Sequence, residues 1–270
     1  MSDRETKHGR EAVAHAFARA QAENRCALIT FLTLGYPSLE VSTDLVRALS
    51  RGGADIIELG VPFSDPVADG PAIQESSLAA LQAGMTPRKA FEMVRALRAQ
   101  GVAQPLLLMG YYNPILSHGL AAYVQDCVDS GVDGLIVPDL PPEEAEPLEG
   151  LCLQAGLALV FLVTPTSDAD RVRQVAERTT GFCYVVSQLG TTGGSLRNEQ
   201  ALAQRLANVR RVAHTPVAVG FGVSQPDQVA RLAGQTDGVI VGSAIVRKSS
   251  EGPEALETYV QSLRDATARG

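Results

Sequence analysis

Between Glu58 and Pro71 the chain reads Glu-Leu-Gly-Val-Pro-Phe-Ser-Asp-Pro-Val-Ala-Asp-Gly-Pro, a dense mixture of carboxylates and prolines. Glu58 lies near the end of the apolar run Ala54 to Gly60, whose residue types predict a strand. A strand's period of two puts Ile56, Glu58 and Gly60 on one face, with Ile57 and Leu59 on the other. If Ile57 and Leu59 pack against helices, Glu58 points inward, where a charged carboxylate is costly. Its pKa then rises, and the group can hold or donate a proton near neutral pH. An inward ion pair is the competing explanation. In the loop beyond, Asp65 reads more readily as a cap of a turn or helix than as a catalyst. Asp69, ahead of Gly70 and Pro71, either shapes a turn or presents a second carboxylate to the same space. Prolines restrict the loop, so an acidic group on it is held at low entropic cost. Two carboxylates in unlike settings can take different protonation states and different tasks.

Glycine gathers at the ends of three later apolar runs. Gln188 to Gly194, Gly220 to Ser224 and Val241 to Ile245 each hold such a cluster. Glycine lets backbone N–H groups approach an anion, and Ser243 is placed to begin a short helix whose N-terminus attracts negative charge. Turns need glycine anyway, so one cluster means little; three in this order predict a phosphate site. The four histidines, His8, His15, His118 and His214, have no spacing for metal or nucleophilic catalysis, and no metal site is expected. Lys7, Lys89 and Lys248 are the only lysines and none falls in an apolar run, which disfavours a Schiff-base enzyme.

Something must position these groups, and the chain supplies an alternation. Apolar runs at Cys26–Leu34, Ala54–Gly60, Pro105–Gly110, Asp133–Asp139, Leu157–Val163, Phe182–Ser187, Pro216–Gly222 and Asp237–Gly242 read as strands. Helical periodicity falls between them, at 39–51, 72–83, 87–100, 120–130, 143–155, 169–178, 198–213, 226–233 and 253–268, with an extra N-terminal helix at 9–23. Near-continuous apolar strands suit a parallel sheet covered on both faces. A glycine that ends a helix and an aspartate that opens the next strand recur at Gly53, Gly131 and Gly234. Roughly eight strands predict a (β/α)8 TIM barrel, with catalytic groups at the strands' C-terminal ends; a doubly wound open sheet is the alternative. No linker or composition shift divides residues 1–270, so a single domain is expected.

The chain has 270 residues, 45% of them hydrophobic and 20% charged, enough to bury a sizeable core, and its net charge of −7 disfavours nucleic acid or an anionic membrane as partner. Cys26, Cys127, Cys152 and Cys183 lie far apart without a C-x-x-C pair, so reduced thiols are expected. No apolar run has the length of a membrane span and no apolar leader opens the chain, so a cytoplasmic protein is expected.

The Glu58–Pro71 run resembles the signature of the tryptophan synthase α subunit. The resemblance extends in order through Leu107–Pro114 (LLMGYYNP), Val137–Glu144 (VPDLPPEE), the GTTGG loop, GFGVS and VGSAIV, from about Phe17 to Tyr259. It implies a lyase that cleaves indole-3-glycerol phosphate to indole and glyceraldehyde 3-phosphate by a retro-aldol reaction. By the same resemblance Glu58 is the acid–base catalyst and Asp69 the carboxylate facing the indole N–H. Tyr184 stands near the glutamate, and Phe31, Met109 and Tyr111 build the indole pocket. Gly193, Gly222, Gly242 and Ser243 hold the phosphate, and Thr192 sits on a loop that closes on Asp69. Pro62, Asp65, Asn113 and Asp139 face or communicate with a β subunit in an α2β2 heterotetramer. No cofactor is expected in this subunit; pyridoxal phosphate belongs to the β partner. Gln188 stands where some members of the family have arginine, and Thr191 where valine is common; both bear on how tightly the loop that carries Thr192 closes. Two competing functions are another phosphate-binding barrel enzyme, which leaves the Glu58–Pro71 run unexplained, and a non-catalytic activating subunit, which has no need of both Glu58 and Asp69. A stand-alone indole-releasing lyase is a variant of the first reading.

Overall fold

The computed structural model describes residues 8–187, 196–220 and 222–269. Its strands are β1 (Ala27–Thr33), β2 (Ile56–Gly60), β3 (Leu106–Met109), β4 (Gly134–Ile136), β5 (Ala158–Val160), β6 (Leu162–Val163), β7 (Cys183–Val186), β8 (Val217–Gly220) and β9 (Gly238–Val241). They hydrogen-bond in the order β5-β4-β3-β2-β1-β9-β8-β7-β6, and each pairing is parallel. The two ends of that order are one stretch of chain, because β5 and β6 are halves of the expected Leu157–Val163 strand, separated only at Phe161. The sheet therefore returns to its starting strand: the expected TIM barrel, not an open sheet.

Closure creates two cores. Ile29 and Phe31 of β1, Ile56 of β2, Leu107 and Met109 of β3, Phe182, Tyr184, Ala218 and Ile240 fill the barrel. The alternate residues Leu28, Leu32, Ile57, Leu59, Leu106 and Leu108 join helix residues such as Leu45, Leu49, Val94 and Leu97 in a second cluster outside it. Helix α1 (Arg10–Ala22) plugs the floor, with the Phe17 ring 5.7 Å from that of Phe182. A side chain at Gly238 would meet Phe17 at 2.9 Å, so this glycine makes room for the plug.

The recurrent aspartates do one job three times at that floor. Asp55, Asp133 and Asp237 each stand just before a strand and accept the N–H of a residue on the preceding one, Leu28, Leu106 and Val217, each at 2.9 Å. Each donates its own N–H back to that residue's carbonyl, at 2.8, 2.8 and 2.9 Å. Arginines complete the clamps. Arg25 grips Asp55 at 2.6 and 2.9 Å, Arg98 pairs with Asp133, and Arg210 reaches Asp237 at 3.4 Å.

Helices α2 (Leu39–Arg51), α6 (Leu120–Ser130), α8 (Ala169–Arg178) and α10 (Pro226–Ala233) have the expected bounds. Two others matter to the site: α3 (Pro71–Gln82) and the short α11 (Ser243–Ser249). Two segments differ from the reading of the sequence. The expected helix from 143 is a 3-10 turn, Pro142–Glu144, followed by α7 (Glu146–Ala155). Tyr112–His118 forms a helix, α5, that was not anticipated. Pro114 there sits in the first turn, where a missing N–H costs nothing, and Gly119 at φ 94° ends it.

Candidate active site

Strand β2 places Glu58 as its periodicity requires. Its register partners are Phe31 on β1 and Leu107 on β3, both in the barrel's inner cluster. The side chain is fully buried, and neither Oε1 nor Oε2 has a hydrogen-bond partner among the described residues. The inward ion pair is thus not found there. Burial without compensation pushes the carboxyl up to about 8, so the neutral acid is its resting form at pH 7.

Asp69 reaches the same space from the loop between β2 and α3, just before Gly70 and the Pro71 start of the helix. It is half-buried. Burial raises its carboxyl to about 6, against a hydrogen bond from the Tyr111 side chain that lowers it. The two acids therefore differ in charge near neutrality, one protonated and one ionised.

A cavity of about 400 Å³, including its open mouth, is lined by Phe31, Glu58, Asp69, Ile73, Met109, Tyr184, Gly222, Gly242 and Ser243. Residues from β1, β2, β3 and β7 and from the loops after β2, β8 and β9 thus converge at the strands' C-terminal ends. Tyr184 is buried, and both burial and the negative potential of Glu58 and Asp69 hold its phenol well above the usual range. Gly222 has φ +83°, a backbone form that favours glycine. Gly242 precedes Ser243, the first residue of α11, and the first N–H groups of a helix lack partners within it.

Tyr111 lines an adjoining space rather than this cavity. That space shares Phe31, Asp69, Ile73 and Met109 with it. The phenol stacks near Phe63, ring centroids 5.2 Å apart, and its oxygen accepts the Ala68 N–H at 2.9 Å. Of the residues expected to face a partner, Asp65, Asn113 and Asp139 are exposed and Pro62 is buried. Asp139 accepts the Tyr112 N–H at 2.9 Å and so fixes the start of α5. Thr192 and Gly193, with Gln188 and Thr191, lie outside the described residues. Among the described residues no group of His, Cys, Asp and Glu is arranged to hold a metal ion, and no helix is long and apolar enough to cross a membrane.

Three contributors were not anticipated. Ile73, in the first turn of α3, lines the cavity. A Cβ at Gly220 would come 2.8 Å from the Tyr184 hydroxyl, and one at Gly60 would come 2.5 Å from the Phe31 ring. Both glycines sit in motifs that stood out as glycine-rich or acidic; what they make room for depends on neighbouring strands.

Fold and cavity together define a class: a barrel enzyme with a buried neutral acid, a second carboxylate and a glycine-lined end that suits an anion. The comparisons narrow it. The tryptophan synthase alpha chain family model matches residues 17–269. The chain is 47% identical to the tryptophan synthase alpha chain of Geobacter sulfurreducens, over 94% of this chain and 98% of that one. It is 43% identical to that of Dehalococcoides mccartyi, over 90% and 96%. Among solved structures, a chain of Mycobacterium tuberculosis tryptophan synthase superposes with a TM-score of 0.89 at 37% identity, covering 98% of this chain and all of that one. The alpha subunit of Legionella pneumophila gives 0.86 at 33% identity, over 95% and 98%. The chain belongs to the tryptophan synthase alpha chain family.

Proposed function

We propose that Glu58 and Asp69 are the acid and the anion with which this chain cleaves indole-3-glycerol phosphate. The reaction itself follows from membership of the family: the chain is a lyase of tryptophan biosynthesis, releasing indole and glyceraldehyde 3-phosphate as part of the tryptophan synthase complex. The observation that carries the residue assignment is the buried, unpartnered Glu58 carboxyl, neutral at pH 7, in one cavity with Asp69.

The chemistry needs both groups. The indole ring leaves only once its C3 carries a proton, which Glu58 donates. The ring nitrogen then gains positive charge, and the Asp69 carboxylate stabilises it. The hydroxyl on the carbon attached to C3 gives its proton to the Glu58 carboxylate. Its oxygen forms the aldehyde carbonyl as the carbon–carbon bond breaks, and that bond's electron pair returns to the ring. Glu58 ends protonated again. Phe31 and Met109 supply apolar walls, with Tyr184 beside Glu58 and Tyr111 in the adjoining space. Gly222, Gly242 and Ser243 cradle the phosphate; for Gly193 and Thr192, roles at the phosphate and at Asp69 rest on the family resemblance alone. Anchoring the phosphate supplies orientation.

On this reading the chain is a single domain of a cytoplasmic α2β2 heterotetramer. It carries no cofactor itself, and pyridoxal phosphate resides in the β partner. Asp65, Asn113 and Asp139 face that partner, with Pro62 acting from beneath. Val67, on the loop after β2, and Leu116, on α5 after the neighbouring β3, are 84% and 54% exposed and support this surface.

Indole release from indole-3-glycerol phosphate, measured with and without β subunit, tests the assignment. Glu58→Gln should lose about 10²–10⁴-fold in kcat. The wild-type rate should be bell-shaped in pH, falling below about 6 as Asp69 is protonated and above about 8 as Glu58 loses its proton. A Glu58→Gln chain as active as wild type would exclude this acid.

A further inference from the structure

Asp69 belongs to neither β2 nor α3, so no regular element sets its direction; a small number of bonds do. Its N–H donates to the Pro66 carbonyl at 3.1 Å, and the Ala68 N–H is held by the Tyr111 hydroxyl at 2.9 Å. The Tyr111 side chain also bonds the Asp69 carboxyl itself, and a further tie comes from a residue to which neither the sequence motifs nor the cavity lining assigns a role. Gln74, the fourth residue of α3, turns its side chain back over the loop. Its Nε2 donates to the Asp69 carbonyl at 2.9 Å and lies 3.5 Å from the Pro66 carbonyl. Its own N–H bonds the Gly70 carbonyl at 3.0 Å, so the side chain leaves from a helix turn already fixed to the loop.

We infer that Gln74 is a positioning residue for Asp69, holding the peptide on the carboxylate's C-terminal side so that the side chain stays turned toward the cavity. Asp69's N–H and carbonyl are both held, the first within the loop and the second by Gln74. With both flanking peptides fixed, the Cα–Cβ direction follows. Loss of the amide frees one peptide to rotate, and the carboxylate then spends time away from the ring nitrogen it must face. An error of about 1 Å in such a group costs up to about 10²-fold in rate. The bond is exposed, so it adds little to global stability. A positional defect should therefore appear without a folding defect.

This inference rests on the lyase reading, and the experiment separates the two. Wild-type chain with β subunit is assayed first; if no indole is released, the lyase reading fails before any variant is made. Gln74→Met keeps the length and removes the donor, and Gln74→Lys restores a donor. Gln74→Met is expected to lower kcat about tenfold, with KM within about twofold and an unchanged melting temperature. Gln74→Lys should recover most of that loss. In an Asp69→Asn background Gln74→Met should cost nothing further, because the group it aims is already gone. Unchanged kcat in Gln74→Met, an equal loss in both backgrounds, or a Lys variant as poor as Met would each overturn the inference.

Discussion

The floor and the mouth of this barrel bury the same kind of group and treat it in opposite ways. At the floor Asp55 and Asp133, 1% and 2% exposed, each accept a backbone N–H and pair with arginine. At the mouth Glu58, equally buried, bonds to nothing described. Arg25, Asp55, Glu58 and Asp133 are the fully buried charged residues among those described, and Glu58 alone lacks a partner. The bonded carboxylates tie strands together, and at Asp133 burial raises the carboxyl while Arg98 and the Leu106 and Gly9 N–H groups pull it back down. A buried carboxyl without such bonds keeps its proton and can give it to a substrate. The lesson concerns partners rather than burial: the barrel keeps its stability at one end and its reactivity at the other.

The comparison breaks most directly at the floor. Asp55→Ala leaves Arg25, 3% exposed, with the half-exposed Glu23 as its one carboxylate partner among the described residues and should cost about 3–5 kcal/mol in urea unfolding. The kcat of the molecules that remain folded should not change. A variant that lost kcat but not stability would erase the division between the two ends.

At the mouth the expected sign reverses. Burial raises Glu58 from 4.5 to about 8, so between those values the native chain binds a proton that the unfolded chain has released. Its contribution to stability is complete below pH 4.5 and is lost as pH rises through 8. Glu58→Gln, neutral at every pH, should thus unfold at a higher denaturant concentration than wild type at pH 8.5, by roughly 1–4 kcal/mol. The gain should vanish at pH 4.5. A gain independent of pH would mean that ionisation is not its source.

A smaller effect sharpens the same contrast. Thr30 on β1 is fully buried, and its hydroxyl has no partner among the described residues. It alternates with Ile29 and Phe31 and so faces the outer core, away from the cavity. An orphaned group with no chemistry to perform should be dispensable. Thr30→Val is expected to raise stability by up to about 1 kcal/mol and leave kcat unchanged. A loss of stability would show that the hydroxyl is satisfied after all.

Much of this was legible along the chain, for reasons that differ from residue to residue. The inward aim of Glu58 follows from a period of two over Ile56–Gly60 and needs no distant information. The bounds of α8 and α10 were legible too, because Asp168 caps the first and Pro226 opens the second. Helix α5 was missed because Tyr112–His118 is too short to display a helical period. The floor aspartates were visible as a repeated phrase without a purpose, since Asp133 finds Arg98 and Gly9 at sequence distances of 35 and 124.

Alternation, helix ends and the face of a strand are properties of adjacent residues, and the sequence by itself determined them here. It also determined the family, through runs long enough to be specific. Whether Glu58 met an arginine or nothing, whether Gly220 left room for Tyr184, and how Gln74 came to hold Asp69 were decided only when the closed sheet brought separate segments together. Solvation and hydrogen bonding depend on which atoms share a space, and that is set by the tertiary fold.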